Sequence, residues 1–369
     1  MRKNLLRLLV GTVTGSLAVA AGAAGVHADE AGDEYKVLVV GKTLGFRHGS
    51  IVPATSAIIE LGQDNGFSVD VWDDRQPDRT LATTPFTSAE DLNQYATIVF
   101  VSTVDGTNDL NPARPTVLDE DELAAFRGYV QAGGGFVGIH GASDSMHTVP
   151  WYGGLVGGDA YFRNHPAQQT AVKHVEDPTH PSTEFLPTQW VRFDEWYNFT
   201  NNPRDVVRVL LTLDETSYNP GFGAMGDHPI AWCHNYEGGR SWYTAGGHRD
   251  DNFSEPLFLQ HILGGVEWTA GITSGGGDCV TFYEVGNLVA DVEAAGGVLN
   301  AVAARNVRKH LDEAEAAAAD GDRTSAVKEL SVAKVLAGAL VRNTDDRDVL
   351  IGKLDDLIEW QEGLAEHGA

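Results

Sequence analysis

Short, almost continuous apolar runs alternate with amphipathic stretches through the first half of the chain. Tyr35 to Val40, followed by Gly41, reads as a buried first strand. From about Ser50 to Leu61 the apolar positions repeat with helical spacing; Pro53 fits a first turn and Gly66 closes the helix. Phe67 to Trp72 and Thr97 to Val101 predict a second and a third strand. Asp119 to Gln131 predicts an amphipathic helix stopped by Gly133-Gly134-Gly135, and Phe136 to Ile139 a fourth strand. Strands apolar on both faces, alternating with helices, imply an α/β fold, doubly wound, with a mostly parallel sheet covered on both sides.

The second half changes character. Val206 to Leu213, Ile230 to Tyr236 and Ser241 to Ala245 read as strands with shorter connections, and Gly238-Gly239 as a hairpin turn. The sheet is therefore expected to be mixed, with Glu255 to Trp268 as a closing helix. The α/β domain is assigned to residues 35–271, a Gly-rich linker around Ser274 to Gly277 to 272–287, and a small C-terminal helical bundle to 288–369. In that tail Ala314 to Ala319 is alanine-rich, Gly321 breaks the helix and Thr324 starts the next.

The first residues alter the picture of where the chain works. Arg2, Lys3 and Arg7 precede an apolar, small-residue stretch from Leu8 to Ala24, followed by Val26-His27-Ala28. This predicts a signal peptide over residues 1–28, a mature start at Asp29 and a secreted protein. No later stretch is long and apolar enough to span a membrane. Residues 1–28 hold three basic residues and no acid, so their removal takes the net charge from −26 to −29. A surface this acidic repels phosphate backbones, so no nucleic-acid partner is expected. Export also places Cys233 and Cys279 where disulfides persist. A disulfide between them would tie the end of the α/β domain to the start of the tail; two separate thiols is the alternative.

Ligands of open α/β sheets bind beyond the carboxyl ends of the strands. Two loops there carry candidate chemistry: Gly41 to His48 after the first strand, and Gly138-Ile139-His140-Gly141-Ala142 after the fourth. The second resembles a nucleophile elbow with histidine at its centre, which argues against serine or thiol acyl transfer. His140, Glu195 and His248 are the candidate catalytic residues, as proton carriers. A helix-capping His140, a Glu195 bonded to backbone amides and a His248 in a surface loop are the plainer alternatives. Phe46, Arg47, His48, Trp151, Tyr152, His165 and Tyr197 are assigned to substrate binding, because aromatic rings beside polar groups suit sugars as well as a core edge. The histidines with Glu195 could hold a metal, but their spacings match no compact ligand motif, so no metal ligand is assigned and the cofactor is left open. There is no Walker loop, dinucleotide fingerprint or zinc-finger spacing.

Gly45-Phe46-Arg47-His48, Gly133 to Ala142, Trp151 to Gly158, Asp194 to Phe199, His228 to Trp232 and Gly239 to His248 form a set. Together they resemble the ThuA-like (trehalose utilisation) family. The resemblance implies a class I glutamine amidotransferase-like fold and a small-molecule carbohydrate partner. It also implies an enzyme of hydrolase or isomerase type acting on glycosides or keto-sugars. The tail, about Leu288 to Glu362, looks like the helical FIMAH-type module of secreted enzymes, which would give it a cell-surface partner. A non-catalytic carbohydrate-binding or attachment protein is the alternative function.

Overall fold

Residues 37–40 and 98–101 have no solvent contact, as strands covered on both faces must. The computed structural model describes residues 35–73, 80–108, 110–298 and 300–368; the expected signal peptide lies outside them. In chain order the elements begin with β1 (Tyr35–Val40), α1 (Ile51–Asn65), β2 (Phe67–Trp72), α2 (Ala89–Leu92), β3 (Thr97–Val101), α3 (Glu120–Gln131) and β4 (Gly135–Ile139). Then follow α4 (Pro150–Val156), β5 (Phe162–Asn164), β6 (Gln169–Val175), β7 (Gln189–Asp194), β8 (Asn198–Phe199), β9 (Arg208–Leu213), β10 (Pro229–Tyr236), β11 (Gly239–Thr244) and α5 (Pro256–Thr269).

The main sheet has nine strands among the described residues, in the order β2-β1-β3-β4-β11-β10-β9-β6-β7. From β2 to β11 every neighbour is parallel, and from β11 to β7 every neighbour is antiparallel. The expected α/β fold with a mixed sheet is thus present. Helices cover both faces. Ser241 Oγ donates to the Leu155 carbonyl of α4, while the next residue, Trp242, packs on Gly265 of α5. Successive strand residues point to opposite faces, so α4 and α5 lie on opposite sides.

Strands β6 and β7 were not expected from the sequence. β7 reverses the usual alternation: Trp190, Arg192 and Asp194 are buried at 3%, 4% and 0% exposure, while Val191 and Phe193 face solvent at 59% and 46%. The buried charges have partners. Arg192 Nε donates to Glu255 Oε2 at 2.7 Å and its guanidinium lies over the Phe258 ring.

The tail contains α6 (Phe282–Ala294), α7 (Ala301–Ala319), α8 (Arg323–Leu340) and α9 (Thr344–His367). Its helical structure starts within residues 272–287, because Thr281 caps α6 by accepting from Glu284 N. Leu311, Leu330, Leu350, Leu354 and Leu357 belong to a separate apolar cluster of these helices. Cys233 and Cys279 form a disulfide, as expected. Beside it, Arg208 is wholly buried, ion-paired to Asp177, bonded to the Gly276 carbonyl and stacked 4.5 Å from the Trp360 ring of α9. The tail therefore attaches by buried chemistry at Arg208, and partly exposed Asp278 adds a bond by accepting from Arg240 near the start of β11. No helix among the described residues is long and apolar enough to cross a membrane.

Candidate functional site

The carboxyl ends of β1, β3, β4 and β11 share one rim because these strands are parallel neighbours. Four antiparallel steps separate β11 from β7, so β7 runs in the same sense and also ends there. His48 follows β1, His140 follows β4, Glu195 follows β7 and His248 follows β11. The topology thus gathers four side chains that are far apart in sequence.

His140 adopts φ +48°, the left-handed region that a residue other than glycine enters at a cost of about 1 kcal/mol or more. This is the strained junction the elbow pattern predicts. The turn is held by Tyr243, whose hydroxyl donates to the His140 carbonyl at 2.8 Å. Gly141 leaves the turn uncrowded: a Cβ there would stand 3.1 Å from the Ser102 Cα and 3.2 Å from the His48 ring, tighter than ordinary contact. Gly247, at φ +112°, performs the corresponding turn before His248.

The donor atoms face one another. His140 Nδ1–H donates to the Ala245 carbonyl at 2.7 Å, which turns Nε2 toward the site. That Nε2 lies 3.2 Å from His248 Nδ1 and 3.6 Å from Glu195 Oε1, and His248 Nδ1 lies 3.1 Å from the same oxygen. His48 stands edge-on to both rings, its centroid 4.7 Å from that of His140 and 5.1 Å from that of His248. Its Nδ1 is buried with no hydrogen-bond partner. On the outer side, half-exposed His165 places Nδ1 3.2 Å from Glu195 Oε2.

Burial and the neighbouring rings His140 and His248 push the His48 imidazole down to about 2, so it stays neutral. Burial alone would raise Glu195, but hydrogen bonds and charge from His140 and His248 outweigh it and hold the carboxylate ionised. Burial would lower His248; its hydrogen bond to Glu195 raises it instead. The cluster is a carboxylate ringed by imidazoles, suited to moving protons or to supplying lone pairs to a cation.

The remaining assigned residues divide. Tyr197 lies against His140, ring centroids 4.1 Å apart, and Phe46 is 64% exposed with its ring 4.8 Å from that of His48. Both border the cluster. Arg47 is taken up by Asp73, at 2.5 Å, and by the Gly41 carbonyl, so it shapes the first loop. Tyr152 is wholly buried and donates to the Ala142 carbonyl, supporting the elbow from behind. Trp151 donates to Glu237 and packs on Phe126, at a core edge. Asp194 was not assigned to the site, yet its carboxylate accepts from Glu195 N at 2.9 Å, Gly247 N at 2.8 Å and Asn252 Nδ2 at 2.6 Å. It joins the loop of Glu195 to that of His248. An open depression lined by Gly49, Gln168, His248, Arg249, Asp250 and Asp251 adjoins the cluster.

These features define a class: an α/β protein with a histidine elbow and a histidine–carboxylate cluster at the rim of its sheet. Residues 36–269 match the family model described as ThuA, trehalose utilisation, and the chain belongs to that family. Its structure is similar to that of a Bacteroides uniformis protein described as ThuA-like, with 26% identity and a TM-score of 0.50 over 64% of this chain and 91% of that one. It is also similar to a Parabacteroides merdae protein so described, with 20% identity and a TM-score of 0.47 over 64% and 90%. No curated protein matched the sequence.

Proposed function

We propose that the protein is a secreted enzyme that acts on a glycoside or keto-sugar by proton transfer at the cluster of His140, Glu195 and His248. The observation that carries this reading is the convergence of those three donors within 3.6 Å of one another at the sheet rim. Proton transfer needs groups within hydrogen-bond reach of a substrate and of each other, and an imidazole pair flanking a carboxylate supplies both an acceptor and a donor. The family description, trehalose utilisation, supports a sugar as substrate. The exposed ring of Phe46 beside His48 supports it further, since an aromatic face suits the apolar side of a pyranose. The signal-like segment at residues 1–28 and the Cys233–Cys279 disulfide both favour export. The tail is proposed to contact a cell-surface partner.

Turnover of trehalose and of its keto derivative should be measured for the wild type and for His140→Asn. Asparagine tolerates the left-handed turn and its amide can still donate to the Ala245 carbonyl, so the fold should persist. Turnover by the wild type and its loss in the folded variant are expected. Equal turnover by both would remove His140 from the chemistry, and none by the wild type would leave binding alone. Mass spectrometry of exported protein should find Asp29 first; a retained Met1 would reject the leader.

A further inference from the structure

The triangle formed by His140 Nε2, His248 Nδ1 and Glu195 Oε1 has edges of 3.1, 3.2 and 3.6 Å. A zinc-type ion bound at about 2.0–2.1 Å holds neighbouring tetrahedral ligands about 3.3–3.4 Å apart. The three atoms are therefore already spaced as ligands of one ion. His48 offers a fourth: it is buried, and one donor atom from each of the four residues lies within 4.8 Å of the others. We infer that His48, His140, Glu195 and His248 hold one divalent transition-metal ion. The inference deepens the reading above and rests on the same cluster.

Three further observations support it. His140 is locked with its proton on Nδ1 by the Ala245 carbonyl, the outer hydrogen bond that metal-ligating histidines ordinarily make. His165 Nδ1, which donates to the Pro166 carbonyl, also lies 3.2 Å from the outer oxygen of Glu195. The unpartnered Nδ1 of His48 also shows a buried ring that its protein neighbours do not satisfy. Three imidazoles with one carboxylate suit zinc, iron, cobalt or nickel better than magnesium or calcium, which prefer all-oxygen shells.

Two other groupings fail the same scrutiny. His180 lies near Cys233 and Cys279, but those sulfurs are bonded to each other. His310, Glu313 and Glu329 sit on the partly exposed faces of α7 and α8, where His310 is already paired to Glu329 at 2.7 Å. A metal at the rim cluster changes how the proposed enzyme works. It would polarise a carbonyl or adjacent hydroxyl of the sugar, and half-exposed His165 becomes the ring beside the site that exchanges protons.

The test uses full-length mature protein without an affinity tag, dialysed against chelator and titrated with Co²⁺ alone. One equivalent should bind with visible d–d bands, and Zn²⁺ should displace it. Glu195→Gln and His48→Gln, each checked by its melting curve, should weaken binding by more than about 100-fold, beyond the loss expected for an outer-shell change. His310→Ala should bind as the wild type does. No bands in the wild type, unchanged binding in both folded site variants, or loss only in His310→Ala would overturn the inference. Keto-sugar turnover that persists in the chelated protein would overturn it as a feature of the enzyme while sparing the enzyme itself. Metal binding without any turnover would retain the site and reject the proposed activity.

Discussion

Replacing Asp194 with alanine removes one small carboxylate and disconnects two of the loops that build the site. Asp194 has no solvent exposure and accepts three hydrogen bonds, from Glu195 N, Gly247 N and Asn252 Nδ2. Hydrogen bonds to a charged group contribute about 1.5–3 kcal/mol each, but three on one carboxylate do not add fully. Arg192 deepens the loss: its Nη1 lies 3.7 Å from Asp194, and both Nη atoms are buried without a hydrogen-bond partner. Removing one member of such a buried charged network costs about 3–5 kcal/mol. About 4 kcal/mol corresponds to a fall of roughly 10 °C in Tm for a domain of this size. Urea unfolding followed by tryptophan fluorescence measures the loss, and hydrogen exchange at Gly247 N reports whether the His248 loop opens first. Asp194→Asn keeps the shape and one acceptor oxygen but turns an amide toward donors, so it should cost less than alanine and more than nothing. A loss under about 1 kcal/mol for alanine, with Gly247 N still protected, would refute the clamp.

Three other outcomes follow from the same structure. The Cys233–Cys279 bond closes a loop of 46 residues, so Cys279→Ser should lower unfolding free energy by about 4 kcal/mol in the chain-entropy model, read by urea titration. Burial would raise the Asp177 carboxyl, but the charge and hydrogen bond of Arg208, with two hydrogen bonds from Thr179, hold it below its ordinary value. A group whose folded pKa is depressed stabilises above its unfolded pKa, near about 4, and that stability is lost as pH falls further. The Tm of Asp177→Asn should therefore be far below wild type at pH 7, and the gap should shrink toward pH 3; a constant gap would contradict the pairing. Phe46→Ala should change stability by less than about 0.5 kcal/mol, because the ring is exposed. It should raise KM for a sugar substrate with little change in kcat; an unchanged KM would remove Phe46 from binding.

The parallel half of the fold was legible because its strands are apolar on both faces and its helices carry clear stops, such as Gly66 at φ +77°. β7 was not, because Arg192 and Asp194 point inward while Val191 and Phe193 point out, so the polar pattern names the wrong face. Lys173 of β6 disguises its strand in the same way, buried over the Trp190 ring at 3.3 Å. His140 could be found because an elbow needs small neighbours and that requirement is written in residue types. Its tautomer could not, since it is set by the main-chain carbonyl of Ala245, which any residue would supply. His140, Glu195 and His248 could be named as candidates, but not their ligand-like spacing: they follow three different strands, and only the strand order brings them together.

The anchoring of the tail has a consequence for how the molecule meets its surroundings. Arg240, which binds Asp278, is the second residue of β11, whereas the loop bearing His248 follows the last residue of that strand. The seam and the cluster thus belong to opposite ends of one short strand. A protein moored through its tail root would present the sheet rim away from the mooring. Its histidine cluster would remain open to diffusing small molecules while the remainder of the chain was immobilised.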